Sequence, residues 1–370
     1  MTFGEFVFAL GLLGLAGFLV GLGVGFLLIG NERSACGSVD ARRVEALIAG
    51  LGPQPKPKEA LRRFTWVNGL AVILLLSGVG LVVLFITTYP DDPALRDMVF
   101  PGWLDDDAEV FNASVLGGFM IACFLFVIGL SLSTWLFASR IMATIQRAIG
   151  RGDYTTAMQH LETATFWAYG LRKFVEGTVL LFAGRYDKSE HAYRAALVDW
   201  RSGCVLGLHV MIANLGWAFI GQGRYEEAVE LLEEALGVFK ESAYVRTALA
   251  EAYLILDQQP NYALQLLVSA EMYKSQRSSR EDQQFWAHLL GNKAWAHTAL
   301  GEHDDADHTL DLAHERTPAD SVPGMAGLHF RTAQVMRIRG NHQVARQHLE
   351  QAIRIDPDGG FAFRARAALD

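Results

Sequence analysis

Three stretches of this chain are apolar for twenty residues or more, and the chain that follows them is not. They run over about 6–29, 66–88 and 113–137, and the second and third hold no Asp, Glu, Lys or Arg. A bilayer core of about 30 Å is crossed by roughly 20 apolar residues of helix, so each stretch predicts a transmembrane span. Beyond residue 138 charge returns. All 11 His, 24 of the 32 Lys and Arg and 28 of the 40 Asp and Glu lie in 139–370. The pattern predicts a membrane domain over 1–138 and a larger polar region after it, all-α throughout.

Composition changes the picture in two places. The chain is 51% hydrophobic and 19% charged, whereas a soluble domain carries about 25% charged residues. The deficit belongs to the three spans. A formal net charge of −8 offers no general basic surface, so nucleic acid is not an expected partner. Cys36, Cys123 and Cys204 have no metal-ligand spacing and are too few for a disulfide framework.

The loops set an orientation. Residues 31–65 carry seven Lys and Arg against four acids, and residues 89–111 carry one against seven. Positive loops stay on the cytoplasmic side, so the expectation is an N-terminus outside and the region after the third span in the cytoplasm. The first span lacks a basic n-region and a small-residue cleavage site, which predicts that it is retained. An Ala-, Gly- and Arg-rich composition adds the expectation of a bacterial inner membrane.

No span carries an ionisable residue at depth, which disfavours transport chemistry. Small residues recur every four positions at Gly17, Gly21 and Gly25 and again at Ser114, Gly118 and Ala122. Such faces let helices approach closely. They predict packing among the spans or, alternatively, a seam for a membrane-protein partner or a second copy. In the cytoplasmic loop 31–65, Ser38 is a candidate cap for a short helix over Val39–Leu51 with Val44, Leu47, Ile48 and Leu51 on one side. The external loop 89–111, with Asp105, Asp106, Asp107 and Glu109, reads as a solvated acidic segment.

From residue 139 a motif recurs: Gly, any residue, an aromatic or His, then small, large apolar and small residues at helical spacing. Its copies are Gly152-Asp-Tyr154 with Ala157, Leu161 and Ala164; Gly184-Arg-Tyr186 with Ser189, Tyr193 and Ala196; and Gly223-Arg-Tyr225 with Ala228, Leu232 and Ala235. Two more are Gly301-Glu-His303 with Ala306, Leu310 and Ala313, and Gly340-Asn-His342 with Ala345, Leu349 and Ala352. A degenerate copy, with Tyr253, Ala263, Leu267 and Ala270, has a longer turn over Asp257–Asn261. Each unit reads as a helical hairpin: Gly makes the turn, the small residues sit where helices cross, and the large one fills the gap between them.

With Leu215-Gly216 and Phe219 upstream of the best copy, the motif resembles the tetratricopeptide repeat, a 34-residue helix–turn–helix unit. The resemblance covers about 139–357, or six units. The usual early Trp is mostly replaced, and a closing Pro stands only at Pro318 and Pro357. Residues 358–370 are expected to form the capping helix a solenoid needs. The helix starting near Ser139 is expected to continue the third span without a break.

The resemblance implies a protein-binding scaffold whose first helices line a concave groove. Carried over by register, it assigns to that groove Phe174, Thr178, Leu181, Ala213, Trp217, Ile220, Thr247, Glu251, Leu254, His288, Asn292, Trp295, Phe330, Gln334 and Arg337. Trp217 and Trp295 are candidate anchors, because Trp dominates many interfaces. The Lys-plus-Asn clamp with which some repeats of this family hold a chaperone's C-terminal carboxylate is not matched at Phe174, Thr178 and Asn214. An apolar or amphipathic segment is therefore the expected occupant. An alternative is an accessory or regulatory subunit of a transporter, secretion or envelope-assembly complex, docked through its glycine-rich spans. A further alternative is metal-dependent chemistry at His303–His314, where Asp304, His308 and Asp311 share a helix face. A solvated face accounts for that cluster more simply, so neither a cofactor nor a metal is expected. His209, His329 and Cys204 read as isolated residues of the repeat packing. No phosphate loop or hydrolase motif is present, and catalysis is not expected.

Overall fold

The computed structural model describes residues 41–51, 139–164, 167, 169–200, 207–275 and 283–370. The three expected spans, their small-residue faces at Gly17, Gly21, Gly25, Ser114, Gly118 and Ala122, and the junction before Ser139 lie outside these residues. Among the described residues there is no strand, and no helix is long and apolar enough to cross a membrane.

The described helices are α1 (Ala41–Gly50), α2 (139–150), α3 (Tyr154–Thr163), α4 (Tyr169–Phe182), α5 (Tyr186–Trp200), α6 (Leu208–Gly221) and α7 (Tyr225–Val238). They continue with α8 (Ala243–Ile255), α9 (Pro260–Ser275), α10 (Gln283–Ala299), α11 (His303–Arg316), α12 (Val322–Ile338), α13 (His342–Ile355) and α14 (Gly360–Leu369). Helices α2 to α13 form six successive pairs. From α6 to α12, each pair's first helix also packs on the first helix of the next pair.

The motif explains the pairing. Ala157, Ser189, Ala228, Ala263, Ala306 and Ala345 are buried at the first small position, and Ala164, Ala196, Ala235, Ala270, Ala313 and Ala352 at the second. Leu161, Tyr193, Leu232, Leu267, Leu310 and Leu349 fill the large position and are buried as well. The fit is tight: a Cβ added at Gly216 on α6 would stand 2.8 Å from the Leu232 side chain on α7.

The six turns share one hydrogen bond. The backbone N–H three residues past each helix end donates to the carbonyl five residues earlier: Asp153 to Ala148, Arg185 to Leu180, Arg224 to Phe219, Gln258 to Tyr253, Glu302 to His297 and Asn341 to Met336, all at 2.9–3.0 Å. This is the six-to-one bond of a Schellman closure, which needs a left-handed residue. Gly152, Gly184, Gly223, Gly301 and Gly340 supply it. The degenerate turn uses Asp257 and Gln259, at φ 54° and 48°.

Two further segments pack on the array, α1 on its second and third pairs and α14 on its last. Helix α1 lays the buried Leu47 and Ile48 into the same core as α5 and α7, and Arg194 Nη1 donates to the Leu51 carbonyl. At the other end, α14 packs on α12 and α13 and also reaches α4. Tyr154 Oη donates to Asp356 Oδ2 at 2.6 Å and Tyr186 Oη to the Gly360 carbonyl at 2.8 Å. The expected cap thus also joins the last repeat to the first two.

Candidate functional site

The inner helices and α14 enclose a cavity of about 600 Å³. Its apolar wall is built by Met142, Ile145 and Ile149 of α2, Phe174, Val175, Leu181 and Phe182 of α4, and Phe361 of α14. Thr178, Asn214, Trp217, Glu251 and His288 also line it, with Arg331 and Arg364.

The polar part is a buried network joining four helices. Glu251 on α8 is fully buried. Its Oε2 accepts from Arg331 Nη2 at 2.7 Å and from Asn292 Nδ2 at 3.1 Å, and its Oε1 accepts from Arg364 Nη1 at 2.6 Å. Arg331 also donates through Nε to Asn292 Oδ1 at 2.6 Å, through Nη1 to the Gly327 carbonyl at 3.1 Å, and through Nη2 to His288 Nδ1 at 3.0 Å. Burial opposes a charge on Glu251, but the guanidiniums of Arg331 and Arg364 outweigh it and hold the carboxyl below its ordinary range. Burial, then the Arg331 charge, push His288 down to about 3. His288 is therefore a neutral ring whose Nδ1 accepts, which leaves its proton on Nε2. It lies between Trp217 and Phe361, with ring centroids 5.5 and 5.3 Å away. Trp217 Nε1 is buried without an acceptor. Two guanidiniums face one carboxylate, so this wall carries a residual positive charge inside an acidic chain.

Of the residues assigned to the groove from sequence, Phe174, Thr178, Leu181, Trp217, Glu251 and His288 line this cavity. Asn292 stands behind it as a partner of Glu251 and Arg331. Ala213, Ile220, Thr247, Leu254, Trp295, Phe330 and Gln334 are buried outside the lining, and Arg337 is exposed. Trp295 is only 6% exposed and sits in the core cluster with its neighbours, so it presents no free anchor. Successive units pack first helix on first helix there, which buries positions that an isolated hairpin would expose.

Sequence reasoning missed Arg331, Phe361 and Arg364. One signal was available: a charged residue inside each of the apolar runs of α8 and α12 has to be paired where it is buried. The His–Asp stretch also rearranges. Among the described residues, the donor set whose atoms lie within 4.8 Å of one another is His297, Glu302 and Asp305, at the surface, rather than Asp304, His308 and Asp311. His329 is not isolated: its Nδ1 lies 2.9 Å from His348 Nδ1, with the His314 ring beside it.

Residues 211–242, which cover most of α6 and α7, match the family model of the tetratricopeptide repeat. No curated protein sequence matches the chain significantly. Among solved structures, the chain is similar to the APC/C hetero-tetramer Cut9–Hcn1, at 18% identity and a TM-score of 0.41, over 59% of this chain and 40% of that one. A thermophilic TPR protein of Thermus thermophilus is similar at 20% identity and a TM-score of 0.39, over 54% and 98% of the two chains. YrrB, described as a TPR protein with an unusual peptide-binding site, is similar at 19% identity and a TM-score of 0.29, over 58% and 97%.

Proposed function

We propose that this chain, which carries the tetratricopeptide repeat, is a membrane-anchored scaffold that captures a protein partner in the cavity formed by its inner helices. The observation that carries this reading is the cavity itself. It combines about 600 Å³ of mostly apolar space with a few fixed polar groups, the make-up of a binding pocket. The residual positive charge beside Glu251 favours an apolar segment that carries a carboxylate. The three uncharged stretches support an anchor in a bacterial inner membrane, and the loop charges support a repeat array on its cytoplasmic side.

A photo-crosslinking side chain placed in the full chain in native membranes tests the reading. Placed at Thr178 or Leu171 in the cavity wall, it is expected to trap one discrete partner band. At Arg346, exposed on α13, it is expected to trap none. Equal labelling at Arg346, or none at Thr178 and Leu171, would contradict the groove. Trp217→Ala is expected to weaken the Thr178 crosslink while leaving helicity intact.

A further inference from the structure

We propose that His314, His329 and His348 form a binding site for a borderline divalent transition-metal ion such as Zn²⁺. The three side chains come from three successive helices, α11, α12 and α13. His314 stands in the last turn of α11 and His348 midway along α13, at different registers of two consecutive second helices. His329, on the helix between them, faces both.

Two of the three rings already stand close to the spacing of a ligand pair, while the nitrogens of all three do not lie within 4.8 Å of one another. His329 Nδ1 and His348 Nδ1 are 2.9 Å apart, with ring centroids 5.2 Å apart. The His314 ring meets His329 edge-on at 6.2 Å. Zinc binds imidazole nitrogen at about 2.0–2.1 Å, and two such bonds at a tetrahedral angle hold their nitrogens about 3.3 Å apart. The His329–His348 pair therefore needs only a small opening. His314 must turn its ring to bring a third nitrogen in. A water completes four-coordination, as at zinc sites with three protein ligands.

Protonation favours ligation. A metal takes the neutral ring, and all three rings are held neutral at physiological pH. Burial first, then His348 and His314, push His329 down to about 4. Burial and then His314 also lower His348, and burial lowers His314 against the opposing charge of Asp311. In the present pair one Nδ1–H donates to the other Nδ1. Ligation through both requires that ring to move its proton to Nε2, with no net proton release. The ion would join the fifth and sixth helix pairs. Imidazole suits Zn²⁺, Cu²⁺ and Ni²⁺ rather than Mg²⁺ or Ca²⁺.

The experiment uses the full chain in detergent, stripped of metal and purified on a tag without histidine, titrated calorimetrically with Zn²⁺ and optically with Co²⁺. One equivalent is expected to bind, with visible Co²⁺ bands of a tetrahedral nitrogen-ligated ion. His329→Ala and His348→Ala are each expected to raise Kd at least about tenfold, or 1.4 kcal/mol, and to abolish those bands. Glu302→Gln, in the surface set with His297 and Asp305, is expected to leave both readouts unchanged. Absence of saturable binding would overturn the site, as would binding indifferent to His329 and His348 or lost with Glu302→Gln. If either half-buried substitution costs helicity, the exposed His314→Ala decides: weakened binding supports the three-nitrogen site, and unchanged affinity overturns it.

Discussion

At the scale of single residues, the costliest group to disturb is Glu251. It is fully buried, and both carboxylate oxygens accept from cations that are themselves buried or nearly so. Burying charges costs more than their attraction returns unless the geometry is good and the remaining polar atoms are satisfied. Here Asn292, His288 and the Gly327 carbonyl complete the set around Arg331. Removing the carboxylate would strand two guanidiniums, so Glu251→Ala is expected to cost about 3–5 kcal/mol. Glu227 gives the contrast. It also pairs with an arginine, Arg224, at 2.6 Å, but at the surface with its side chain 56% exposed. Glu227→Ala is expected to cost about 1 kcal/mol or less. Thermal unfolding of the two variants side by side measures the difference, and equal shifts would show that the buried network does not carry the stability assigned to it.

At the scale of elements, the turn between paired helices decides whether a hairpin closes. Five of the six use glycine in the left-handed region; the degenerate turn places Asp257 there instead, at φ 54°, and holds a second left-handed residue, Gln259, at φ 48°. A side chain there costs roughly 1–2 kcal/mol against the following carbonyl, less what glycine loses in the unfolded chain. Gln259→Gly is therefore expected to stabilise and Gly223→Ala to destabilise, each by about 1 kcal/mol, read as a raised and a lowered thermal midpoint. The opposite order would mean that the longer turn is held by contacts other than its backbone. These elements also mark how far the sequence could be read. Turn glycines, crossing alanines and gap-filling leucines lie within one repeat of each other and declare themselves as a period. The joining of the array's last residues to α3 and α5 does not. Its bonds link Tyr186 to Gly360 and Tyr154 to Asp356, across 174 and 202 residues, and no period of one repeat length encodes them. Arg331 and His329 escaped for a related reason, since each looks solitary on its own helix and acquires partners only when neighbouring units stack.

At the scale of the whole molecule, the buried titratable groups set how stability follows pH. Asp356, at the seam where the last repeat meets the first, is pushed up to about 6 by burial. Its charge opposes folding above that pH, so acidification from 7 towards 4 relieves the penalty and stabilises. The histidines act the other way. Burial holds His209 and His329 at about 4 and His288 at about 3, and it lowers His314 and His348. Below about 6.5 the unfolded chain takes up protons that the folded chain refuses, so each of these groups removes stability as pH falls from 6.5 towards 4. Five histidines outnumber one aspartate over the same window. The thermal midpoint is therefore expected to fall between pH 7 and pH 5, and to fall more steeply in Asp356→Asn, which loses the compensating carboxyl found among the described residues. A flat profile, or a shallower one in that variant, would mean that these rings are protonated in the folded chain and that the inner helices are more open to water than their packing implies.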